Sequence, residues 1–173
     1  MRFLITGGAG FIGTNLVKRL LNDGHEVVSL DNYSTGKKDN EQDGCKYIEC
    51  DISDSLRRYQ AFGLEKYQLE KPDGIFHLAA LARIQPSFKH PSNSFDSNAR
   101  GTQNIVEWAR QIGCPIVYAG SSSVHGDVHA NPYTFPKWIG EEILKMYSKI
   151  YNIQVTITRF YNVYGEHQAT EGA

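Results

Sequence analysis

The stretch from Thr6 to Gly13 reads TGGAGFIG, directly after the short apolar run RFLIT and directly before FIGTNLVKRLLN. Gly7, Gly10 and Gly13 therefore fall at GxxGxxG spacing on a strand-to-helix junction. Glycine at such a junction permits a tight turn, close approach of backbone to a bound group, and close packing of helix on strand. The following helix is firmly patterned, since Ile12, Leu16, Val17, Leu20 and Leu21 recur at helical spacing while Lys18, Arg19 and Asn22 point elsewhere. Gly24 suits the left-handed position that ends it.

The rest of the chain repeats this alternation of short β-branched or aromatic runs with longer amphipathic stretches, separated by Gly, Pro and Asn/Asp clusters. Strands are expected at about 2–6, 26–30, 46–50, 75–79, 115–119 and 154–159. Helices are expected at about 11–22, 53–70, 92–112 and 133–150. The run IFHLA at 75–79 is almost wholly apolar, as in a strand covered on both faces. This pattern implies an α/β protein built on a doubly wound parallel sheet.

At 173 residues with 40% hydrophobic content, the chain has material for one core. A net charge of −1 with scattered Lys and Arg speaks against nucleic acid as a partner. The opening MRFLIT is far shorter than the roughly 7 to 15 apolar residues of a secretory signal, and no run approaches the roughly 18 residues of a membrane span. Cys45, Cys50 and Cys114 form neither an even set nor a CxxC spacing, so free thiols in a cytoplasmic protein are expected. His77, His125 and His129 show no paired metal-ligand spacing, and no metal is expected.

A helix that opens on this glycine turn presents unpaired N–H groups and a positive dipole end to a pyrophosphate. Asp31 ends the second strand eighteen residues after Gly13, where a carboxylate can accept both hydroxyls of an adenosine ribose and repel a 2′-phosphate. The pair of features implies a dinucleotide site for NAD rather than NADP. A tyrosine base, whose phenol ordinarily titrates near pH ~10, needs a cation close by to work at neutrality, and YxxxK places one a helical turn away. The chain contains that spacing three times, at Tyr33/Lys37, Tyr67/Lys71 and Tyr133/Lys137. Ligands cross the carboxyl ends of the strands with nicotinamide beyond the switch point, and only Tyr133, after the fifth strand and twelve residues past Ser121, is so placed.

TGGAGFIG, DN at 31–32, FHLAA at 76–80, SSSVHG at 121–126, NPYTFPK at 131–137 and RFYNVYG at 159–165 occur in the order found in extended short-chain dehydrogenases. The chain resembles the NAD-dependent sugar-nucleotide epimerases and dehydratases of that superfamily, over nearly its whole length. The resemblance implies a Rossmann sheet of order 3-2-1-4-5-6 spanning 1–165, with 166–173 as the start of a substrate lobe that the chain otherwise lacks. It implies cofactor contacts from Gly7, Gly10, Phe11, Ile12, Gly13, Asp31, Asn32, Asp51, Ile52, Leu78, Ala79, Ala80, Tyr133 and Lys137. Ser121 takes the catalytic Ser/Thr position, Tyr133 the base, Lys137 the nicotinamide ribose, Asn162 a contact to the sugar nucleotide, and Asn98 a place beside the site.

Implied in turn is 4-epimerisation of a nucleotide-linked sugar through a ketosugar. Related dehydratases and decarboxylases carry a carboxylate just after the catalytic Ser/Thr, and here those positions are Ser122 and Ser123. A sugar-nucleotide dehydratase or reductase, and a truncated NAD-binding module without turnover, are the alternatives. Family members pair two helices into a four-helix bundle, which implies a homodimer through about 92–112 and 133–150, with Ile105, Val106, Trp108, Ile143, Leu144 and Tyr147 as the apolar surface. Pro136, between Tyr133 and Lys137, is expected to make the first turn of its helix irregular.

Overall fold

The sheet is assembled by strands whose adjacent residues serve opposite faces. In the computed structural model, which describes residues 1–54 and 70–168, six parallel strands run in the order β3-β2-β1-β4-β5-β6. They are β1 (Arg2–Thr6), β2 (Glu26–Asp31), β3 (Cys45–Glu49), β4 (Gly74–His77), β5 (Ile116–Ser121) and β6 (Val155–Phe160). Leu4 and Leu30 join one core cluster with Ile75, Ile105, Val106, Ile116 and Leu144, while their neighbours Ile5 and Val27 join another with Val17 and Leu20. Both faces are thus covered, which is what turns these strands into nearly continuous apolar runs. Each aliphatic side chain buried so completely contributes about 1.5–3 kcal/mol.

Helix α1 (Phe11–Asn22) covers the second of these faces and ends as expected at Gly24, whose φ is +78°. The first face is covered by α4 (Gly101–Ile112) and α5 (Thr134–Tyr151). Helix α4 stops at Gly113 and α5 at Asn152, both left-handed.

The helix expected at 92–112 is present, with one wider turn inside it. A short α2 (Ile84–Lys89) and α3 (Pro91–Phe95) precede a π-turn at Asp96–Arg100, which leads without interruption into α4. The turn centres on Asn98, fully buried, whose side chain bonds both the N–H and the carbonyl of Leu81 at 2.8 and 3.0 Å. An inserted residue in a helix commonly serves to aim one side chain inward in this way. Strand β4 ends at His77, so Leu78, Ala79 and Ala80 lie beyond the strand rather than within it. The helix expected at 53–70 lies almost wholly outside the described residues, as do 169–173 of the tail.

The apolar residues offered above as a dimer surface are not on the surface. Ile105, Val106 and Leu144 are fully buried, Trp108 and Tyr147 nearly so, and Ile143 packs partly against the same core. Helical spacing shows that a face is apolar, and here that face meets the chain's own sheet.

Ser29 of β2 sits under the glycine turn, wholly buried, and its hydroxyl has no hydrogen-bond partner among the described residues. A Cβ on Gly8 would overlap that hydroxyl, so the residue beneath must be small. Since an unpartnered buried hydroxyl opposes folding, Ser29→Ala is expected to stabilise by about 1 kcal/mol and raise Tm by about 2–4 °C. A lower melting temperature in thermal denaturation would show that the hydroxyl contributes to the fold.

Candidate functional site

The residues singled out for chemistry gather at the carboxyl ends of the strands, where the glycine turn leaves β1. Gly7 has φ +78° and its N–H donates to the Leu30 carbonyl at 2.8 Å, and a Cβ there would come within 2.8 Å of the Ala79 nitrogen. A Cβ on Gly13 would overlap the Gly7 carbonyl oxygen itself. Gly10 is less constrained, with an extended backbone, and caps α1 without any side-chain hydrogen bond. Gly8, which the GxxGxxG reading passes over, is held as tightly as Gly13 by its contact with Ser29. No acidic residue stands in the first turn of α1, so its N-terminal amides and dipole face outward uncompensated. Phe11 and Ile12 are half-buried at that end.

Asp31 anchors this turn. Its carboxylate accepts the Ala9 N–H at 2.9 Å through one oxygen and the Tyr33 N–H at 2.8 Å through the other. A carboxylate has about four acceptor positions, so two hydroxyls can still be received. The neighbouring Asn32 donates to Asp51 at 2.9 Å. Burial would raise the Asp51 carboxyl, but hydrogen bonds from Ser53 and Asn32 outweigh it and hold the group below its ordinary value. Ile52 turns its side chain into the core against Gly101. These features fit a dinucleotide: a cradle without Cβ atoms, an uncapped helix start and a carboxylate with acceptors to spare.

Beyond the switch point, Ser121 ends β5 and is largely buried, with its Oγ 2.9 Å from Ser123 Oγ and accepting the Ser123 N–H at 3.2 Å. Tyr133 is half-buried at the cap of α5. The Asn131 side-chain oxygen accepts the Tyr133 and Thr134 N–H groups at 3.1 and 2.8 Å, satisfying two donors at the start of the helix. Lys137, one turn on, is buried, donates to the Ala119 carbonyl at 2.6 Å and lies 4.3 Å from the centre of the Tyr118 ring. Asn162 follows β6 and is exposed.

The expected irregularity at Pro136 does not form. The N–H groups of Phe135 and Lys137, on either side of it, both bond four residues back, at 3.3 Å each. Helix α5 begins at Thr134, so Pro136 falls in the first turn, where an intrahelical N–H is not required. Of the other two YxxxK pairs, Tyr33 donates its hydroxyl to Glu41 at 2.6 Å, and burial with that carboxylate pushes its phenol well above the ordinary value. Tyr67 lies outside the described residues.

Of two buried groups near the site, Glu141 escapes the sequence reading and His77 enters it only as a histidine without metal-ligand spacing. Glu141, a further turn along α5 from Lys137 and fully buried, receives Arg159 of β6 at 2.8 Å. His77 is buried at the end of β4 with both ring nitrogens hydrogen-bonded, to Thr6 at 2.7 Å and Thr102 at 3.0 Å. Each partner is distant in sequence, so no local motif marks either group. His125 and His129 instead lie against the aromatic rings of Tyr161 and Phe135.

Burial pushes the Lys137 ammonium down to about 8, with Tyr133 and Glu141 opposing the shift. The unfolded chain therefore holds more protons than the native one between about pH 8 and the ordinary lysine value near 10.5, and stability rises with pH across that window. Roughly 3 kcal/mol is withheld from the native state at neutral pH if the whole difference is realised. Lys137→Met should melt higher than the parent at pH 7, with the gap closing as pH rises to about 10.5. A variant no more stable at pH 7 in pH-resolved thermal melts would contradict this.

Comparison with known proteins agrees with the geometry. The model of the NAD dependent epimerase/dehydratase family matches residues 3–173. The UDP-glucose 4-epimerase of Mycolicibacterium smegmatis is 37% identical over 192 residues, covering 99% of this chain and 59% of that protein. UDP-glucuronic acid decarboxylase 1 of Danio rerio is 31% identical over 95% of this chain and 42% of its own length. Among solved structures, the UDP-glucose 4-epimerase of Thermus thermophilus in complex with NAD superposes with a TM-score of 0.88 at 32% identity, over 99% of this chain and 58% of that one. This chain spans less than three fifths of the length of these relatives. With a glycine turn, a strand-end aspartate and a Tyr-Lys helix set in the family's sheet order, the chain belongs to the NAD dependent epimerase/dehydratase family, whose cofactor is NAD.

Proposed function

We propose that this chain is the nucleotide-binding part of a sugar-nucleotide 4-epimerase working through a transient ketosugar. The observation that carries the reading is the buried Lys137 one turn past Tyr133, on the same sheet edge as Ser121 and the Asp31-anchored glycine turn. NAD, when bound, supplies the acceptor and donor of hydride. Its diphosphate would rest on the start of α1 over Gly7, Gly10 and Gly13, its adenosine ribose on Asp31, and its nicotinamide ribose on Lys137. Lys137 spends one N–H on the Ala119 carbonyl, which leaves two for that ribose. Leu78, Ala79 and Ala80 line the stretch between.

Tyr133 takes the proton from the sugar hydroxyl as the carbon below it is oxidised, and gives it back after the ketosugar has turned over. Ser121 donates to the reacting oxygen as charge develops there. Asn162 holds the nucleotide-linked sugar. Elimination or decarboxylation would call for a further acid or base beside Ser121, and the positions that could provide one are Ser122 and Ser123. Glu141 is fully buried and engaged with Arg159, which leaves it unfit for that work. This supports epimerisation even though decarboxylases are among the relatives.

A second reading is NAD binding without turnover. Incubation with NAD and UDP-, GDP- or dTDP-linked sugars, followed by separation of products, decides between them. A new epimeric sugar nucleotide supports the enzyme, and none at any concentration leaves only the binding module. In either case NAD is expected to bind at least tenfold more tightly than NADP, and Asp31→Ala to weaken NAD and narrow that preference. Calorimetric titration giving equal affinities would overturn the assignment of Asp31.

We also infer a homodimer through α3 to α5. Exposed apolar residues on these helices include Phe95 and Met146, 38% and 46% exposed, with Phe135 and Trp138 beside Phe95 in a run of ring contacts. Light scattering at micromolar concentration should give twice the chain mass, and a strictly monomeric mass would refute the pairing. The three free cysteines suit a reducing cytoplasm, and among the described residues no helix is long and apolar enough to cross a membrane.

A further inference from the structure

His77 lies at the meeting point of three elements: the end of β1, the end of β4 and the start of α4. Its surroundings determine where its proton sits. The Thr102 hydroxyl donates to the Asn98 carbonyl at 2.8 Å, so it has only lone pairs to offer the imidazole. His77 Nε2, at 3.0 Å from that oxygen, must therefore carry the hydrogen and donate it. Nδ1 is then bare and accepts the Thr6 hydroxyl at 2.7 Å, while Thr6 Oγ1 in turn accepts the Ala79 N–H at 3.1 Å. Each hydrogen in the series has one donor and one acceptor, from the Ala79 amide to the Asn98 carbonyl.

Both ends of this series touch segments assigned to the cofactor. Thr6 is the residue from which the glycine turn springs, and the Ala79 nitrogen is what a Cβ on Gly7 would strike. At the far end, Asn98 clamps the backbone of Leu81 through both its N–H and its carbonyl. The Leu78 and Ala79 N–H groups bond Thr6 directly, and the ring adds a second tie from Thr6 through Thr102 and Asn98 to Leu81. On its other sides the ring is enclosed by Tyr118, 5.5 Å between ring centroids, and faces the charge of Lys137; burial foremost, and then that charge, push the imidazole down to about 3. An imidazolium would also lose its acceptor role at Thr6 and break the series there.

We propose that His77 is a positioning residue for the cofactor site: held as the neutral Nε2–H tautomer between Thr6 and Thr102, it ties the glycine turn to the Leu81 end of the Ala79–Leu81 segment, which Asn98 clamps. A bulky apolar residue could fill the same volume, but could not both accept from Thr6 and donate to Thr102. The consequence is that NAD affinity depends on the hydrogen bonds and not merely on the packing. The inference rests on the reading of this edge as an NAD site.

The test separates the two. Long-range ¹⁵N–¹H correlation spectra of the protein without NAD should show the Nε2–H tautomer of His77, unchanged from pH 5 to 9. An Nδ1–H tautomer, or titration within that range, would overturn the proposal whether or not NAD binds. Calorimetric titration of NAD then compares Thr102→Val, which keeps the shape and removes the acceptor, with Thr102→Ser, which keeps the hydroxyl. The valine variant should bind NAD roughly five- to tenfold more weakly, and the serine variant within twofold of the parent. His77→Phe should resemble the valine variant. A Thr102→Val protein that melts lower yet binds NAD like the parent would reduce His77 to a packing residue. Failure of the parent itself to bind NAD would instead sink the functional reading.

Discussion

The Gly7 carbonyl oxygen occupies the space where a Cβ of residue 13 would project, and the rest of the carboxyl edge is arranged around that contact. With a hydrogen in place of a side chain, α1 begins directly on the turn and brings its first amides to the tip of β1. Ser29 supports the turn from below and Asp31 draws it sideways onto β2 by accepting the Ala9 N–H. Any side chain at residue 13 would lift the helix from the strand, and the amides and the aspartate would no longer converge on one ligand.

Around this scaffold the protein tolerates polar groups in places where burial opposes them. Lys137 and Glu141 lie a turn apart on α5, both buried, the first held by a carbonyl and a ring and the second by Arg159. Removing either partner of a buried pair leaves an uncompensated charge, so such pairs fix geometry more than they add stability. Here the Arg159 pairing ties α5, which presents Tyr133, to β6, which leads to Asn162. Tyr133 and Asn162 are thus kept in one frame by a contact that neither makes directly.

What was legible in the sequence is what is local in the chain. Six strands in alternation with helices and the left-handed Gly24 follow from spacing alone, and the structure contains both. The π-turn is different, because Asn98 is recruited by Leu81, seventeen positions away, and no helical periodicity records that demand. For the same reason His77 reads as one more apolar-strand residue, and Ile105 or Leu144 read equally well as core or as interface. Pro136 leaves the turn regular because the helix starts at Thr134, placing the proline in the first turn, where an N–H is not needed for the helix. Residue roles toward NAD and sugar rest on family resemblance joined to this geometry.

The proposed function has a single ligand laid across the strand ends from Asp31 to Lys137. A crystal structure of the chain with NAD tests that most directly. The account requires the diphosphate over Gly7 to Gly13, the adenosine ribose hydroxyls within hydrogen-bonding distance of Asp31, and the nicotinamide ribose against Lys137 with the ring facing Tyr133. Cofactor bound elsewhere on the molecule, or with its adenosine end at Lys137 and its nicotinamide end at Asp31, would contradict it.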